Sequence, residues 1–202
     1  MTTEHGGDLD TAIARFGGKR AEWLDLSTGI YPHPYPLPHL DSFVWTALPD
    51  QQLSRAVEKA GAARYQTTRP VLCLAGARLG FAIGEQAVLD KMADRMGSWA
   101  VSGPSLAIGK AALGDQNWAT RMREQLAHDA HRLDQIAALA GWQTIGGTSL
   151  FRLYQMTDAR HWQEHLARQR IWARSFSYND EWLRLGLPPA SGWDRLQQAI
   201  IR

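Results

Sequence analysis

Hydrophobic residues recur at helical spacing in several stretches of the chain, and each stretch is bounded by polar, glycine or proline residues. Asp50 stands where it can cap one of the resulting helices, and Ser191 with Asp194 begins the last one in a capping-box pattern. The pattern predicts helices over residues 8–17, 51–64, 85–96, 104–113, 115–139 and 158–169, and from 191 to the end.

Short apolar runs between these helices predict strands. They lie at residues 23–27, 71–74, 79–83, 142–146, 149–154, 171–176 and 182–187. Ala75-Gly-Ala77 is the expected turn of a hairpin that joins the second and third strands, and residues 28–39, with four prolines, are an expected loop. The alternation predicts an α/β fold in which residues 115–202 form a complete small α/β domain and residues 50–114 form part of a larger one.

Composition and charge narrow the class of protein. The chain has 202 residues, of which 45% are hydrophobic and 21% are charged, as is typical of a globular protein. The net charge is +2 and the basic residues are scattered, which argues against nucleic-acid binding. The single cysteine, Cys73, lies in an apolar run and is expected to be a small buried residue. The start of the chain lacks the pattern of a signal peptide and no apolar run has membrane-spanning length, so a cytoplasmic protein with no membrane contact is expected.

One short motif could hold a metal ion. His161, Glu164 and His165 spell H-x-x-E-H on a predicted helix, the order found in inverted zincins, where two histidines bind zinc and the glutamate activates water. A third ligand would have to come from downstream, where Glu181 is the only well-placed carboxylate beyond Asp180 and Asp194. Histidine and glutamate are both common on helix surfaces, so we expect a solvated helix face and no metal, with a zinc hydrolase as the weaker alternative.

Several segments follow one another in an order that points to a known family. They are His5-Gly-Gly-Asp8, Asp25-Leu-Ser-Thr-Gly-Ile-Tyr-Pro32, Leu74-Ala-Gly-Ala-Arg-Leu-Gly80, Trp99-Ala-Val-Ser-Gly-Pro-Ser-Leu-Ala-Ile-Gly109, Gly146-Gly-Thr-Ser-Leu-Phe-Arg-Leu153, Ile171-Trp-Ala-Arg-Ser-Phe176 and Trp182-Leu-Arg-Leu-Gly-Leu-Pro188. Together they resemble the threonine-phosphate decarboxylases of cobalamin biosynthesis, relatives of the histidinol-phosphate aminotransferases among the fold-type-I pyridoxal-phosphate (PLP) enzymes. One departure is Tyr31, where the family usually has Asn.

The resemblance implies a large internal deletion. In the family, a strand that ends like Val71 to Gly76 opens the large domain, and a phosphate-binding arginine in a Gly-x-Arg-x-Gly setting follows more than a hundred residues later. Here Gly76 and Arg78 are almost adjacent. The expected fold is therefore a remnant of the fold-type-I fold, with most of the central sheet of the large domain missing. The resemblance divides the chain into an N-terminal arm with a small-domain segment (1–49), a remnant of the PLP-binding domain (50–114) and a small domain (115–202).

The residues that carry the family's chemistry are absent. The family has its Schiff-base lysine in a Ser-x-x-Lys segment shortly before the phosphate-binding arginine, and an Asp at the pyridine nitrogen further upstream. The chain has only four lysines and none occurs in such a segment. PLP chemistry needs the lysine to hold the cofactor as an imine and the carboxylate to keep the ring an electron sink. We therefore expect no catalytic residue, and binding of PLP by this chain is in doubt.

Four residues match the family's binding positions. By resemblance, Arg78 contacts the cofactor phosphate, Arg184 pairs with the substrate carboxylate, and Arg174 and His5 lie near the substrate phosphate. The implied ligand is a small amino-acid phosphate; the family is homodimeric, and a shortened chain could associate with itself. The primary prediction is an inactive, internally deleted member of the decarboxylase and aminotransferase family, whose intact form converts threonine phosphate to aminopropanol phosphate. The other prediction is a non-catalytic remnant that serves interaction.

Overall fold

The computed structural model describes residues 6–30, 32–67 and 74–201. Its helices are α1 (Leu9–Phe16), α2 (Ser42–Thr46), α3 (Gln51–Thr67), α4 (Gln86–Met96), α5 (Gly103–Gly114), α6 (Gln116–Leu139), α7 (Ala159–Arg168) and α8 (Trp193–Ile201). Its strands are β1 (Leu24–Asp25), β2 (Gln143–Gly147), β3 (Phe151–Gln155), β4 (Ile171–Trp172), β5 (Arg174–Phe176) and β6 (Asn179–Gly186). The seven predicted helices are confirmed, with small shifts at their ends. The predicted Asp50 cap is confirmed too, since the Asp50 carboxylate accepts a hydrogen bond of 2.6 Å from the Leu53 amide. The capping box predicted from Ser191 is not, since α8 begins at Trp193 and Ser191 lies in the preceding turn of 3-10 helix.

The chain packs as two compact units. One combines residues 1–33 with residues 122–202 and is called the sheet unit; the other, residues 34–121, is called the helical unit. These breaks lie away from the boundaries predicted after residues 49 and 114. The reason is that α2 packs against α5, and that α6 continues without interruption from 116 to 139. The three-segment division into 1–49, 50–114 and 115–202, which refers to the family's domains, stays a prediction.

The sheet unit is built on a four-stranded antiparallel sheet of order β2-β3-β6-β5. Leu183 and Leu185 alternate with more exposed residues along β6 and are fully buried, together with Leu166 of α7, which packs on this strand. A second, parallel pair joins β1 to β4. The small α/β domain predicted from the sequence therefore also includes the N-terminal segment, which contributes β1.

The single strand predicted over residues 171–176 is divided in two. Ile171 and Trp172 pair with β1, whereas Arg174 to Phe176 pair with β6. Ala173 is buried between them, where the chain changes partner. A period-two pattern does not reveal a change of partner, because side chains on both pieces keep alternating.

A partly buried polar network fastens α6 to the sheet. Asp134 accepts two hydrogen bonds from the Arg152 guanidinium, at 2.9 and 2.8 Å, and a third from the Tyr154 hydroxyl at 2.9 Å. Tyr154 is fully buried and its ring lies 5.8 Å from that of Trp142. Burial raises the pKa of Tyr154 well above its usual range, and the neighbouring Asp134 carboxylate raises it further.

We expect Tyr154→Phe to lower the free energy of unfolding by about 1–2 kcal/mol at neutral pH, because the hydroxyl donates to a carboxylate inside the fold. Since the folded pKa is raised, this contribution is fully present below the unfolded pKa of about 10 and declines as the pH rises above it. The difference between wild type and variant in urea unfolding should therefore shrink in alkaline buffer. Tyr178→Phe, at an exposed tyrosine, is the matched control. Equal losses in the two variants would contradict the role of the network.

The helical unit has a small core. α3 packs against α5 through Val57, Leu106 and Leu113, with Leu79 partly buried beside them. α4 has no buried residue. Among the described residues of this unit there is no strand.

The strand predicted at 79–83 is wrong. Residues 71–73 of its expected partner strand, including Cys73, lie outside the described residues. Residues 75–77 form one turn of 3-10 helix, and residues 78–83 continue without regular structure. The side chains of Leu79 and Phe81 cover Gly109 and Gly61 so closely that a Cβ at either glycine would lie 2.4 Å from them. A two-stranded ribbon is marginal alone, and these apolar side chains instead pack on the glycines of α5 and α3.

In the part of the chain that the structure describes, no helix combines the length and the hydropathy that crossing a membrane would require.

Candidate functional site

Arg184 lies on β6, where its side chain is held from two sides. Its Nη2 donates a hydrogen bond of 2.6 Å to the Ser27 carbonyl, and its guanidinium carbon lies 5.0 Å from the centre of the Phe151 ring. Among the described residues, no partner is found for its buried Nε. The side chain is thus fixed in place while one donor stays unsatisfied.

Arg174 lies directly across the sheet from Arg184, because the two residues are opposite in the register of β5 and β6. The Arg174 guanidinium lies 5.1 Å from the centre of the Phe176 ring. Burial lowers the pKa of Arg184, and the like charge of Arg174 lowers it further. An anion beside the pair would relieve both effects, since an opposite charge favours the charged form of arginine.

The loop that supports Arg184 depends on close packing of the N-terminal segment. Ser27 Oγ accepts a hydrogen bond of 2.8 Å from the Gly7 amide and donates one of 2.6 Å to the Asp25 carboxylate. A Cβ at Gly6 would lie 2.2 Å from the Ser27 carbonyl oxygen and 3.0 Å from Arg184 Nη2. Only glycine permits this approach, which gives a structural role to Gly6 and to the Asp25 loop.

A cavity of about 700 Å3 opens beside this loop. It is lined by Gly6, Gly7, Asp8, Arg15, Ser27, Arg160, Gln163, Trp172, Ala173, Arg174, Ser175 and Ser177. Sequence reasoning identified Arg174 but missed Arg15 and Arg160. Each of these is a single arginine on a helix, α1 or α7, and no motif distinguishes it from an ordinary surface residue.

The predicted site residues do not all lie together in the structure. Arg184 and Arg174 are neighbours on one sheet, whereas Arg78 belongs to the helical unit. Arg78 is exposed and adopts a left-handed conformation, with φ of 51°. His5 and Tyr31 lie outside the described residues. Their predicted roles stay predictions.

The described residues do not fit PLP. A phosphate-binding loop is a tight concave surface lined by backbone donors that point at the phosphate. Around Arg78 the backbone is open instead, because a Cβ added at Gly76 or Gly80 would meet no atom within 4 Å. A resident PLP also needs a lysine in a site closed to water, and all four lysines are exposed. Of the family's cofactor contacts that the sequence predicted, only Arg78 is present, and it stands on an open loop.

Among the described residues, no three His, Cys, Asp or Glu side chains are grouped to hold a metal, so the structure adds no support for the zinc alternative. Glu164 pairs with Arg15 at 2.5 Å and with Arg168 at 3.7 Å. The Nε2 atom of His165 lies 3.0 Å from the Ala199 carbonyl. The motif's carboxylate and second histidine are thus engaged in packing α7 against α1 and α8, which H-x-x-E-H spacing alone does not reveal.

Comparison with known proteins identifies the family. The model of the family described as aminotransferase class I and II matches residues 71–200. The chain belongs to this family. The resemblance found in the sequence is therefore confirmed, and the family's members depend on PLP.

Two curated relatives are threonine-phosphate decarboxylases. That of a Sinorhizobium species is 27% identical over an alignment of 326 residues that takes in 98% of this chain and 97% of the relative. Because this chain has only 202 residues, a large part of that relative has no counterpart here. The enzyme of Pseudomonas aeruginosa is 32% identical over 163 residues, which are 80% of this chain and 49% of that protein. In this second match the chain spans about half the length of its relative.

Solved structures show the same fold in part. A histidinol-phosphate aminotransferase from Sinorhizobium meliloti, determined in complex with pyridoxal-5'-phosphate, matches with a TM-score of 0.58 at 22% identity, over 66% of this chain and 38% of that one. That of Clostridium acetobutylicum matches with a TM-score of 0.55 at 13% identity, over 81% of this chain and 58% of that one. The chain therefore has part of the aminotransferase fold, in agreement with the predicted α/β class.

Proposed function

We propose that this chain is an internally shortened relative of the threonine-phosphate decarboxylases that does not perform their PLP-dependent reaction. It keeps one side of an amino-acid phosphate site in the sheet unit. The proposal takes its reaction class from the two relatives, which are named as threonine-phosphate decarboxylases.

The main support for the proposal is the sequence context and the exposure of the lysines. None of Lys19, Lys59, Lys91 and Lys110 lies in a Ser-x-x-Lys segment, and all four are exposed to water. A lysine that forms a stable imine with PLP must be able to lose its proton near neutral pH, which enzymes achieve by desolvation or by a neighbouring cation. An exposed lysine is not desolvated in this way.

The segment around Arg78 supports an internal deletion. The family's central sheet would have to lie between Gly76 and Arg78, and the described residues of the helical unit contain no strand. The chain passes this point in one turn of 3-10 helix, and Ser105 fastens the turn by donating a hydrogen bond of 2.6 Å to the Ala77 carbonyl. The short connection thus joins the flanking segments without a break, and the residues described on either side of it form no sheet on which PLP could rest.

We expect the purified chain to form no internal aldimine. Incubation with PLP and reduction with borohydride, followed by peptide mass spectrometry, should show only scattered partial labelling of exposed lysines. The same preparation should release no aminopropanol phosphate from threonine phosphate. Stoichiometric labelling of one lysine, lost in its Lys→Ala variant and accompanied by decarboxylation, would overturn the proposal.

A non-catalytic interaction role is the second candidate, and the surface of the helical unit favours it. Val88, Met92 and Met96 form an exposed apolar stripe along α4, and Phe43 and Trp45 of α2 are more exposed still. Apolar patches of this kind mark association or aggregation when they are contiguous. Self-association of the shortened chain is the simplest form of this candidate.

A further inference from the structure

We infer that two copies of this chain pair through α4, in an antiparallel and two-fold symmetric contact with Met92 at its centre. The inference deepens the interaction candidate given above, because it names the partner and the surface. It rests on the proposed function, which takes the chain to be internally shortened.

The apolar side of α4 is one continuous stripe. Val88, Met92 and Met96 are spaced four residues apart, which places them on the same side of the helix over two turns. Their side chains are between 41 and 60% exposed. A single copy of the chain therefore leaves much of this stripe in contact with water.

The helix lacks a packing partner of its own. It has eleven residues, and isolated helices shorter than about 12–15 residues are marginal in water. Among the described helices of the unit, α2 and α3 both pack on α5, whereas α4 makes no comparable contact with any of them. An amphipathic pattern of this kind is typical of a helix that buries one side. We therefore expect another surface to cover the stripe.

The shortening of the chain explains why the stripe is uncovered. In an α/β fold, helices pack their apolar side on a sheet. The described residues of the helical unit contain no strand, so they provide no sheet for α4. A contact between two copies would then replace a contact inside an intact chain. It would be a property of the shortened chain and not of its full-length relatives.

The charges of α4 favour a second copy in the antiparallel direction. Glu85 is the N-cap of the helix and Arg95 lies in its last turn, and neither forms an ion pair with another residue that the structure describes. In an antiparallel pair centred on Met92, Glu85 of each copy comes close to Arg95 of the other. A parallel pair would place like charges together and align the two helix dipoles. Charges beside an apolar seam select orientation in this way.

The side chains of the stripe suit such a contact. Val88 of one copy meets Met96 of the other, and the two Met92 side chains meet at the two-fold axis. Methionine has a flexible side chain that fills irregular gaps, so two identical stripes can pack without a precise match of shape. The surface is thus complementary to itself, as a two-fold contact requires.

Exposed apolar residues extend the surface beyond both ends of α4. Ile83 precedes the helix and Trp99 follows it, and each is more than half exposed. Trp99 also has a left-handed backbone, with φ of 60°, which is uncommon for a bulky residue and persists where the surrounding structure requires it. In the antiparallel pair, Trp99 of one copy lies beyond the N-terminal end of the other α4, on the side where Ile83 precedes that helix.

The first test is disulfide trapping in the full chain. The background is Cys73→Ser, which removes the single native thiol. Met92→Cys should then give a covalent dimer on oxidation with copper phenanthroline, because the axis brings the two substituted positions together. Asp94→Cys, on the opposite side of α4, is the matched control and should remain monomeric on a non-reducing gel. A mixture of Val88→Cys and Met96→Cys should form the mixed disulfide in preference to either symmetric one.

The second test is sedimentation equilibrium, which keeps the native thiol reduced. We expect Glu85→Arg to weaken the wild-type dimer by about tenfold, because two ion pairs become two like-charge contacts. The double exchange of Glu85→Arg with Arg95→Glu should restore most of the affinity, since it re-forms both pairs in the opposite sense. Asp90→Arg changes the net charge by the same amount on the far side of α4 and should leave the affinity unchanged.

A monomeric wild type, equal trapping of Met92→Cys and Asp94→Cys, a symmetric Val88→Cys disulfide that exceeds the mixed one, or a double exchange that restores nothing would each overturn the inference. Its failure is distinguishable from that of the proposed function. A monomeric wild type would leave the expected absence of an internal aldimine untouched, whereas an aldimine with decarboxylation would overturn the proposed function without removing a dimer trapped at Met92→Cys.

Discussion

Amide hydrogens of β3 and β6 are expected to exchange more slowly than those of residues 74–101, by on the order of a thousandfold or more. The reason is the unequal distribution of buried apolar surface. β6 is a central strand with Leu183 and Leu185 fully buried, whereas α4 has no buried residue at all. Segments with few buried contacts open locally at low free energy. Hydrogen exchange followed by mass spectrometry of peptides would measure the difference.

Self-association must be separated from intrinsic stability in that experiment. Exposed residues such as Met92 and Trp45 could gain protection in an oligomer, so exchange is measured at several protein concentrations alongside sedimentation velocity. Protection of α4 that appears only at high concentration would support the interaction candidate. Uniformly slow exchange through the described residues of 50–114 in a monomer would show instead that the shortened helical unit has a stable core.

Leu166→Ala is expected to lower the free energy of unfolding of the sheet unit by about 3 kcal/mol, within the range of about 2–5 kcal/mol for buried leucines. Leu166 is 0% exposed on α7, so removal of its side chain leaves a cavity between this helix and the sheet. The measurement is urea unfolding monitored by tryptophan fluorescence and circular dichroism.

Leu139→Ala is the matched control. Leu139 also belongs to a helix of the sheet unit but is 70% exposed, so a change below about 0.5 kcal/mol is expected. Similar losses in the two variants would mean that the packing of α7 on β6 does not hold this unit together.

Local sequence was sufficient for seven of the described helices, whereas the short α2 was not predicted. The helical spacing of apolar residues along α6 and the Asp50 cap of α3 both depend on residues that are near neighbours in the chain. The structure confirms both. The strand at 79–83 failed for the opposite reason. A short apolar run becomes a strand only if another strand lies beside it, and here Leu79 and Phe81 find glycines on helices instead.

The residues of the candidate site differ in the same way, since some could be predicted from local sequence and others only from the fold. Arg184 and Arg174 could be proposed from motifs that lie close together in the chain, and the register of β5 and β6 places them side by side. Arg15 and Arg160 are far apart in sequence, and each resembles an ordinary surface arginine. Only the packing of α1 and α7 in one unit brings them to the same cavity.

The sequence by itself determined the family, seven of the described helices and the absence of a Ser-x-x-Lys lysine, because these depend on residue identity and short-range spacing. The tertiary structure decided the rest. It joined the N-terminal segment to the C-terminal sheet, divided residues 171–176 between two sheets, engaged Glu164 and His165 in packing, and gathered three arginines around one cavity. These features depend on contacts between residues distant in the chain, whose free energy is settled only when the whole unit packs.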